Sequence, residues 1–362
     1  MELIVSVLSD FSTAIATHAI VSTGSWLVAA LRARMRDAPA DRILQTLRDL
    51  GCLNEGAVRN LVRQWQPKEA VSPDTRAELA ALLTNLTRNC RFHTTHGTLN
   101  SSYLRNKRLI EQLLVNLQPK RTQGEAVGLG HGDWKLVQFL GMGGFGEVWL
   151  GRARLHPEPR AFKFITVADA SEWLEREGKA LYKIREHLND CLNVIKYLDI
   201  SLDEKPFPFL VLEYVAGGTL EDFILTPKSE RPPLQTVEAM KGIARGLSAA
   251  HRHKIYHRDL KPANILVTEG ADPLAKIADF GLGRVDSERS TDGSSFASQG
   301  ALVGTRMYLP PEAADPYIPR QPAQDDVFAF GVIWFQMLMG KIERPSYDFA
   351  ERLRGEGADS RT

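Results

Sequence analysis

The chain is poor in cysteine, in net charge and in long apolar runs, and each shortage excludes a class of protein. Its three cysteines in 362 residues are far apart and form neither a CxxC pair nor a zinc pattern. A disulfide scaffold and a structural zinc site are therefore excluded. The net charge of +1 gives no general attraction to nucleic acid or to an anionic membrane. No basic segment precedes the first apolar residues, as a secretory signal requires, so we expect a cytoplasmic protein with free thiols.

One apolar stretch, residues 12–31, is long enough to be considered as a membrane span. It carries His18, Gly24 and six Ser or Thr residues, which makes it too polar for an ordinary transmembrane helix. We expect a buried or interfacial helix here and no helix that spans a membrane.

Residues 1–118 show helical periodicity and no strand alternation. Apolar residues recur at helical spacing in three runs: Ile43, Leu44, Leu47 and Leu50; Leu79, Leu82, Leu83 and Leu86; Leu104, Leu109, Ile110, Leu113, Leu114 and Leu117. The second run follows Ser72-Pro73-Asp74, a good start for a helix. We predict an all-α domain of about four to six helices. It shows no catalytic constellation, and a segment of this kind commonly recruits a protein partner.

A short stretch rich in glycine follows this helical region. Residues 119–132 contain Pro119, Gly124, Gly128, Gly130 and Gly132, a composition typical of linkers. We therefore predict that residues 119–132 join two domains.

The pattern changes to strands at Trp134, around a glycine-rich turn. The apolar residues up to Leu140 lead into Gly141-Met142-Gly143-Gly144-Phe145-Gly146-Glu147-Val148, and Trp149-Leu150 continue as a second strand. In dinucleotide-binding folds a helix follows such glycines, whereas here a strand does. Without Cβ atoms the backbone of this turn can close over phosphate groups.

The octet His257-Arg258-Asp259-Leu260-Lys261-Pro262-Ala263-Asn264 places an acid, a base and an amide within one loop. Apolar, strand-like residues flank it on both sides. Phosphoryl transfer needs a carboxylate that orients a hydroxyl, a cation near the moving group and an oxygen ligand for Mg²⁺. The octet supplies all three residue types.

These motifs stand in a fixed order with several others. The others are Lys163 within the strand 161–165, the apolar strand 209–218, Lys276-Ile277-Ala278-Asp279-Phe280-Gly281, Gly304-Thr305, Pro311-Glu312 and Asp325 to Gly331. In this order and spacing, from Trp134 to about Gly340, the chain resembles the eukaryotic-type Ser/Thr protein kinases of the protein kinase superfamily.

The resemblance implies an α+β, bilobal protein kinase fold preceded by the all-α region. It places the kinase domain at 133–345, with a β-rich N-lobe at 133–212 and a helical C-lobe at 216–345, and leaves 346–362 as a tail. The C-lobe of the family normally continues for two or three further helices. We therefore expect the C-lobe of this chain to be truncated. Glu312 would then lack its usual arginine partner.

The resemblance also implies roles for individual residues. Asp259 is the catalytic carboxylate and Lys261 neutralises charge on the moving group, while Asn264 and Asp279 bind Mg²⁺. Lys163 contacts the α/β-phosphates and is paired with a glutamate of the next helix, where Glu177 is chosen over Glu172 and Glu175 by its helical face. The expected ATP-binding residues are Leu140, Gly141, Met142, Gly143, Gly144, Phe145, Gly146, Glu147, Val148, Ala161, Lys163, Glu213, Val215 and Leu266.

The implied function is transfer of the ATP γ-phosphoryl group to Ser or Thr hydroxyls of proteins, in signalling and with autophosphorylation. We expect a protein partner at the helical region, and we expect that the protein does not bind nucleic acid. The alternatives are an inactive or truncated kinase fragment that acts as a scaffold, a small-molecule phosphotransferase and a membrane-anchored receptor kinase.

Overall fold

The structure is a computed structural model of the whole chain. It describes residues 2–16, 26–27, 29–31, 40–67, 71–95, 119–129, 132–143, 146–166, 181–202, 207–226, 233–270, 272–280, 306–314, 321–343 and 345. Contacts divide the chain into two compact units. The first comprises Met1–Ser171 and Asp199–Tyr214, and the second comprises Glu172–Leu198 and Val215–Thr362.

The first unit begins with helices, as the periodicity predicts. They are α1 (Glu2–Ala16), α2 (Ala40–Gly51), α3 (Glu55–Gln64) and α4 (Pro73–Thr95). The predicted start at Ser72 is confirmed, because the Ser72 hydroxyl accepts a hydrogen bond from the Thr75 N–H at 3.1 Å and so caps the helix. Helix α3 starts in the same way at Asn54, whose side chain accepts from Ala57 N–H at 2.7 Å. The third predicted run, Leu104–Leu117, lies outside the described residues.

Aromatic and aliphatic side chains hold these helices together. Phe11 of α1 contacts the rings of Trp26 at 4.8 Å and Trp65 at 5.9 Å. Arg76 donates to the carbonyl oxygens of Val62 and Trp65 at the end of α3 and also lies over the Trp65 ring. The leucines at 47, 50, 79, 82 and 83 are fully buried, and each contributes about 1.5–3 kcal/mol to folding. No helix in the described part of the chain is long and apolar enough to cross a membrane.

A mainly antiparallel sheet of six strands follows, and all of its residues except Tyr197 and Leu198 belong to the first unit. Its strands are β1 (Ala126–Leu129), β2 (Gly132–Gly143), β3 (Gly146–Ala153), β4 (His156–Ile165), β5 (Tyr197–Ser201) and β6 (Phe209–Glu213), in the order β1-β2-β3-β4-β6-β5. One face carries an aromatic chain in which Phe162 contacts Trp134 at 5.4 Å and Phe209 at 5.6 Å. Since side chains alternate along a strand, Ala161 and Lys163 point to the opposite face.

The prediction of a linker at residues 119–132 is wrong for most of that stretch. Residues 126–129 form β1 and pair with 132–135 of β2. Arg121 is buried, lies 4.5 Å from the centre of the Phe164 ring and forms an ion pair with Glu125 at 3.1 Å. The glycines and the proline of this stretch indicate turns, and here the turns connect short segments that pack on the sheet.

The second unit is built on a two-stranded sheet and helices. Its elements are α5 (Leu220–Leu225), α6 (Pro233–Arg252), β7 (Ile265–Val267), β8 (Ala275–Ile277) and α7 (Pro322–Met339), and residues 181–188 are also helical. Short 3-10 turns occur at Pro262–Asn264, Arg306–Tyr308 and Pro311–Ala314. The sheet of the first unit and the helices of the second confirm the predicted α+β class.

Glycine allows the close packing of α6 in this unit. A Cβ on Gly246 would lie 2.8 Å from the Asn193 carbonyl oxygen and 2.9 Å from Ile277 Cδ1, both closer than ordinary van der Waals contact. The same Asn193 donates from its side chain to the Ala275 carbonyl at 2.9 Å. Helix α6 therefore rests directly on the strand that leads to Asp279.

The fold predicts how a protease treats the segment at 119–129. Because Arg121 is buried and residues 126–129 are hydrogen bonded in the sheet, limited trypsin digestion should not cut after Arg121 while the first unit is folded. Fragments can be mapped by mass spectrometry. Early cleavage between 119 and 129, leaving two resistant pieces, would contradict the packed position of this segment.

Candidate active site

The register of the sheet brings four residues of the first unit to one face. Val148 is paired with Lys163, and Ala161 is paired with Leu212. Directly paired residues of antiparallel strands point to the same side, and Ala161 and Lys163 are two residues apart in one strand. The predicted ATP-binding residues Val148, Ala161 and Lys163 therefore share a face. Lys163 is buried among these apolar neighbours.

Gly146, the last glycine of the turn, has a steric reason to be glycine. A Cβ at this position would lie 1.8 Å from the carbonyl oxygen and 2.9 Å from the carbonyl carbon of Phe164 in β4, which no side chain can do. The sequence suggested that the glycines leave room for phosphates. The structure adds that Gly146 lets β3 start directly against β4.

The side chain of Glu147 does not share the face of Lys163. Glu147 is paired with Phe164, on the opposite side of the sheet, and is fully buried. Its carboxylate accepts hydrogen bonds from the backbone N–H groups of Lys120 at 2.6 Å and Arg121 at 2.8 Å. Burial raises the pKa of Glu147, although the hydrogen bonds from these two donors act to lower it. We had placed Glu147 among the ATP-binding residues, and only its backbone can still serve there.

In the second unit the octet 257–264, which we call the catalytic loop, is fixed by one buried carboxylate. This carboxylate is that of Asp326 in α7. It accepts the backbone N–H of His257 at 2.8 Å and that of Arg258 at 2.8 Å. His251, at the end of α6, lies with Nε2 at 2.9 Å from the same carboxylate. Asp326 is only 1% exposed, so these contacts replace its water. Asp326, within the motif Asp325 to Gly331, therefore anchors the loop, while the part played by His251 has no separate signal in the sequence.

Both ring nitrogens of His257 are hydrogen bonded. Its Nδ1 accepts the Asp259 N–H at 3.3 Å, so this nitrogen carries no proton. The proton is then on Nε2, which donates to the Ala278 carbonyl at 2.8 Å. The buried imidazole thus connects Asp259 to the backbone of the residue before Asp279.

Two polar side chains, those of Lys261 and Asn264, converge on Asp259. Lys261 Nζ donates to Asp259 Oδ2 at 2.8 Å. Asn264 Nδ2 donates to the Asp259 carbonyl at 2.8 Å and to Oδ2 at 3.2 Å. The acid, base and amide that the sequence placed in one loop therefore form one cluster, and the Asp259 carboxylate has a fixed orientation.

Asn264 and Asp279 lie at neighbouring ends of the paired strands β7 and β8. Ile265 is paired with Ile277, and the Ala278 N–H donates to the Asn264 carbonyl at 2.8 Å. Asp279 adopts a left-handed backbone conformation with φ of 59°. An amide oxygen and a carboxylate are hard ligands of the kind that Mg²⁺ takes in small number beside phosphates, so this pair fits the predicted metal.

Tyr197 is a residue near Asp279 that the sequence did not point out. Its backbone is held by Asn189, which accepts from the Tyr197 N–H at 3.0 Å and donates to its carbonyl at 2.9 Å. Burial raises the pKa of the Tyr197 hydroxyl, and the Asp279 carboxylate raises it further. The hydroxyl therefore stays protonated beside this carboxylate.

The remaining predicted residues are distributed as follows. Leu140, Gly141, Met142 and Gly143 belong to β2, Glu213 ends β6 and Leu266 lies in β7. The first unit ends at Tyr214 and the second resumes at Val215, within the stretch 209–218 that the sequence marked as an apolar strand. Gly144, Phe145 and Glu177 lie outside the described residues, so the predicted pairing of Lys163 with Glu177 is not tested.

The family model of the protein kinase domain matches residues 134–353, more than half of the chain. The chain belongs to the protein kinase family. Use of ATP and action on protein substrates are general properties of this family.

Curated relatives show the same likeness over the same part of the chain. The chain is 31% identical over 211 residues to the serine/threonine-protein kinase PknB of Mycobacterium leprae, which covers 58% of this chain and 32% of that protein. It is 31% identical over 215 residues to the serine/threonine-protein kinase drp72 of Corynebacterium efficiens, covering 58% and 39%. For pkn2 of Myxococcus xanthus the figures are 32% over 218 residues, 58% and 25%. The chain thus spans between a quarter and two fifths of the length of these relatives.

The anchoring of the loop gives a stability prediction for Asp326→Asn. Asparagine offers a single acceptor oxygen and an NH₂ group that would face a backbone N–H. We expect a loss of about 3 kcal/mol in the free energy of unfolding, measured by urea denaturation.

Asp272→Asn is the matched control, because Asp272 is exposed in a loop and should change stability by less than about 0.5 kcal/mol. Equal stability of the Asp326 and Asp272 variants would show that the carboxylate does not anchor the loop.

Proposed function

We propose that this protein is an ATP-dependent Ser/Thr protein kinase. The observation that carries the proposal is the cluster in which Lys261 and Asn264 fix the carboxylate of Asp259. The relatives named as serine/threonine-protein kinases support the choice of Ser and Thr as acceptors. We do not favour the scaffold alternative, because Lys163, Asp259, Asn264 and Asp279 are all present.

Each residue then has a role in one in-line displacement. Asp259 orients the substrate hydroxyl and takes its proton as the new O–P bond forms and the bond from the γ-phosphorus to ADP breaks. Lys261 is within contact of that carboxylate and can stabilise negative charge on the moving group. Lys163 contacts the α/β-phosphates. Most of the rate acceleration then comes from positioning and electrostatics.

We further propose that Asn264, through its side-chain oxygen, and Asp279 hold Mg²⁺. The ion would neutralise charge on the β- and γ-phosphates. The amide nitrogen of Asn264 is occupied by Asp259, so the oxygen is the atom that the residue can offer a metal.

Two wider aspects belong to the same proposal. A location in the cytoplasm is supported by the three free cysteines. The helical region belongs to the same unit as Lys163. A protein partner that binds the helical region can therefore affect the nucleotide site, which supports a role in recruiting such a partner.

The direct test is incubation of the purified protein with labelled ATP and Mg²⁺, with and without an added protein mixture. We expect label on Ser or Thr, identified by phosphoamino-acid analysis. Asp259→Asn and Lys163→Met should lower the rate by at least about 100-fold.

Matched controls are available for both substitutions. Asp272→Asn and Lys135→Met alter exposed residues of the same types and should leave the rate unchanged. Equal labelling in the wild type and in both catalytic variants would refute the proposal, and so would label confined to tyrosine.

A further inference from the structure

Both strands that lead into and out of the glycine-rich turn are held by residues that precede the family match at 134–353. Strand β2 enters the turn and is contacted by α4 at Gly141. Strand β3 leaves the turn and is bonded through Glu147 to residues 120 and 121. All of these residues belong to the first compact unit.

The contact at Gly141 is made by polar side chains of α4. The Oδ1 atom of Asn85 lies 3.4 Å, and Nη1 of Arg88 3.7 Å, from the position that a Cβ on Gly141 would take. Asn85 is 3% exposed, and its Nδ2 has no hydrogen-bond partner among the described residues. Asn85 therefore packs against the glycine-rich strand from a buried position on α4.

The contact at Glu147 is stronger, and it holds the strand that leaves the turn. Two backbone N–H groups and the Trp149 indole N–H at 3.3 Å donate to one buried carboxylate. Hydrogen bonds to a charged acceptor are roughly twice as strong as neutral ones. Glu147 directly follows Gly146, so this bonding fixes the first residues of β3.

We propose that Asn85 and Glu147 are positioning residues for the glycine-rich turn and thereby set the affinity for ATP. The inference rests on the proposed function. Strand ends that are already held in place lose less conformational entropy when ATP binds, so ATP binds more tightly. The catalytic loop belongs to the other unit, so loosening the turn should raise the KM for ATP and leave kcat nearly unchanged.

The experiment uses the full chain with Asn85→Ala and Glu147→Gln. The matched controls are Asn60→Ala on α3 and Glu158→Gln on β4, both at exposed positions. Hydrogen exchange without nucleotide should be about tenfold faster in the two variants at the amides of Met142, Glu147 and Val148. The amides of Ile265 and Ile277 serve as an internal reference and should be unaffected.

The kinetic arm measures KM for ATP and kcat separately. Each variant should raise KM about five- to tenfold with kcat within about twofold of the wild type, and the controls should match the wild type. Unchanged exchange near the turn, or exchange that rises equally at Ile265 and Ile277, overturns the positioning role. Faster exchange with an unchanged KM overturns the link to ATP.

The two arms separate this inference from the proposed function. A wild-type protein without phosphoryl transfer would refute the proposed function, and the link to ATP with it. The exchange arm needs no nucleotide and would still decide whether Asn85 and Glu147 position the turn.

Discussion

The active site depends on the hydrogen bonds made by one buried carboxylate, that of Asp326. It receives two backbone N–H groups from the catalytic loop and is contacted by the imidazole of His251. These bonds hold Arg258 in a left-handed conformation with φ of 62°, which costs about 1–2 kcal/mol for a residue with a side chain. This strained backbone turns the chain at Arg258 so that the next residue, Asp259, faces Lys261 and Asn264. A single charge deep in the second unit therefore determines the geometry of a carboxylate that is partly open to solvent.

The parts of the site that could be predicted from the sequence are those whose partners are close in the chain. Asp259, Lys261 and Asn264 fall within six residues, so any ordered loop brings them together. Met240, Ile243, Leu247 and Ala250 recur at helical spacing in the sequence, and all four are buried on α6. Closeness in the chain was enough in the first case and the periodicity of a helix in the second.

The contacts that could not be predicted join residues far apart without a periodic signal. Glu147 and Lys120 are 27 residues apart, and a glutamate after a glycine turn has no local feature that indicates burial. Residues 126–129 read Ala-Val-Gly-Leu, too short a run to distinguish a strand from a linker. Only the pairing with 132–135 decides between them. The same holds for Asn85, whose position on α4 gives no information about Gly141.

Strand β1 also affects how the protein behaves in a concentrated solution. An open strand edge presents unpaired N–H and C=O groups to which another chain can add, and long flat edges promote aggregation. Here the sheet begins with a strand of only four residues, Ala126–Leu129, and further along β2 the Leu136 N–H and carbonyl are bonded to Glu125 and Gly124. Much of the edge that β2 would otherwise expose is therefore occupied by its own chain. The segment that resembles a linker thus protects this sheet from edge-to-edge association.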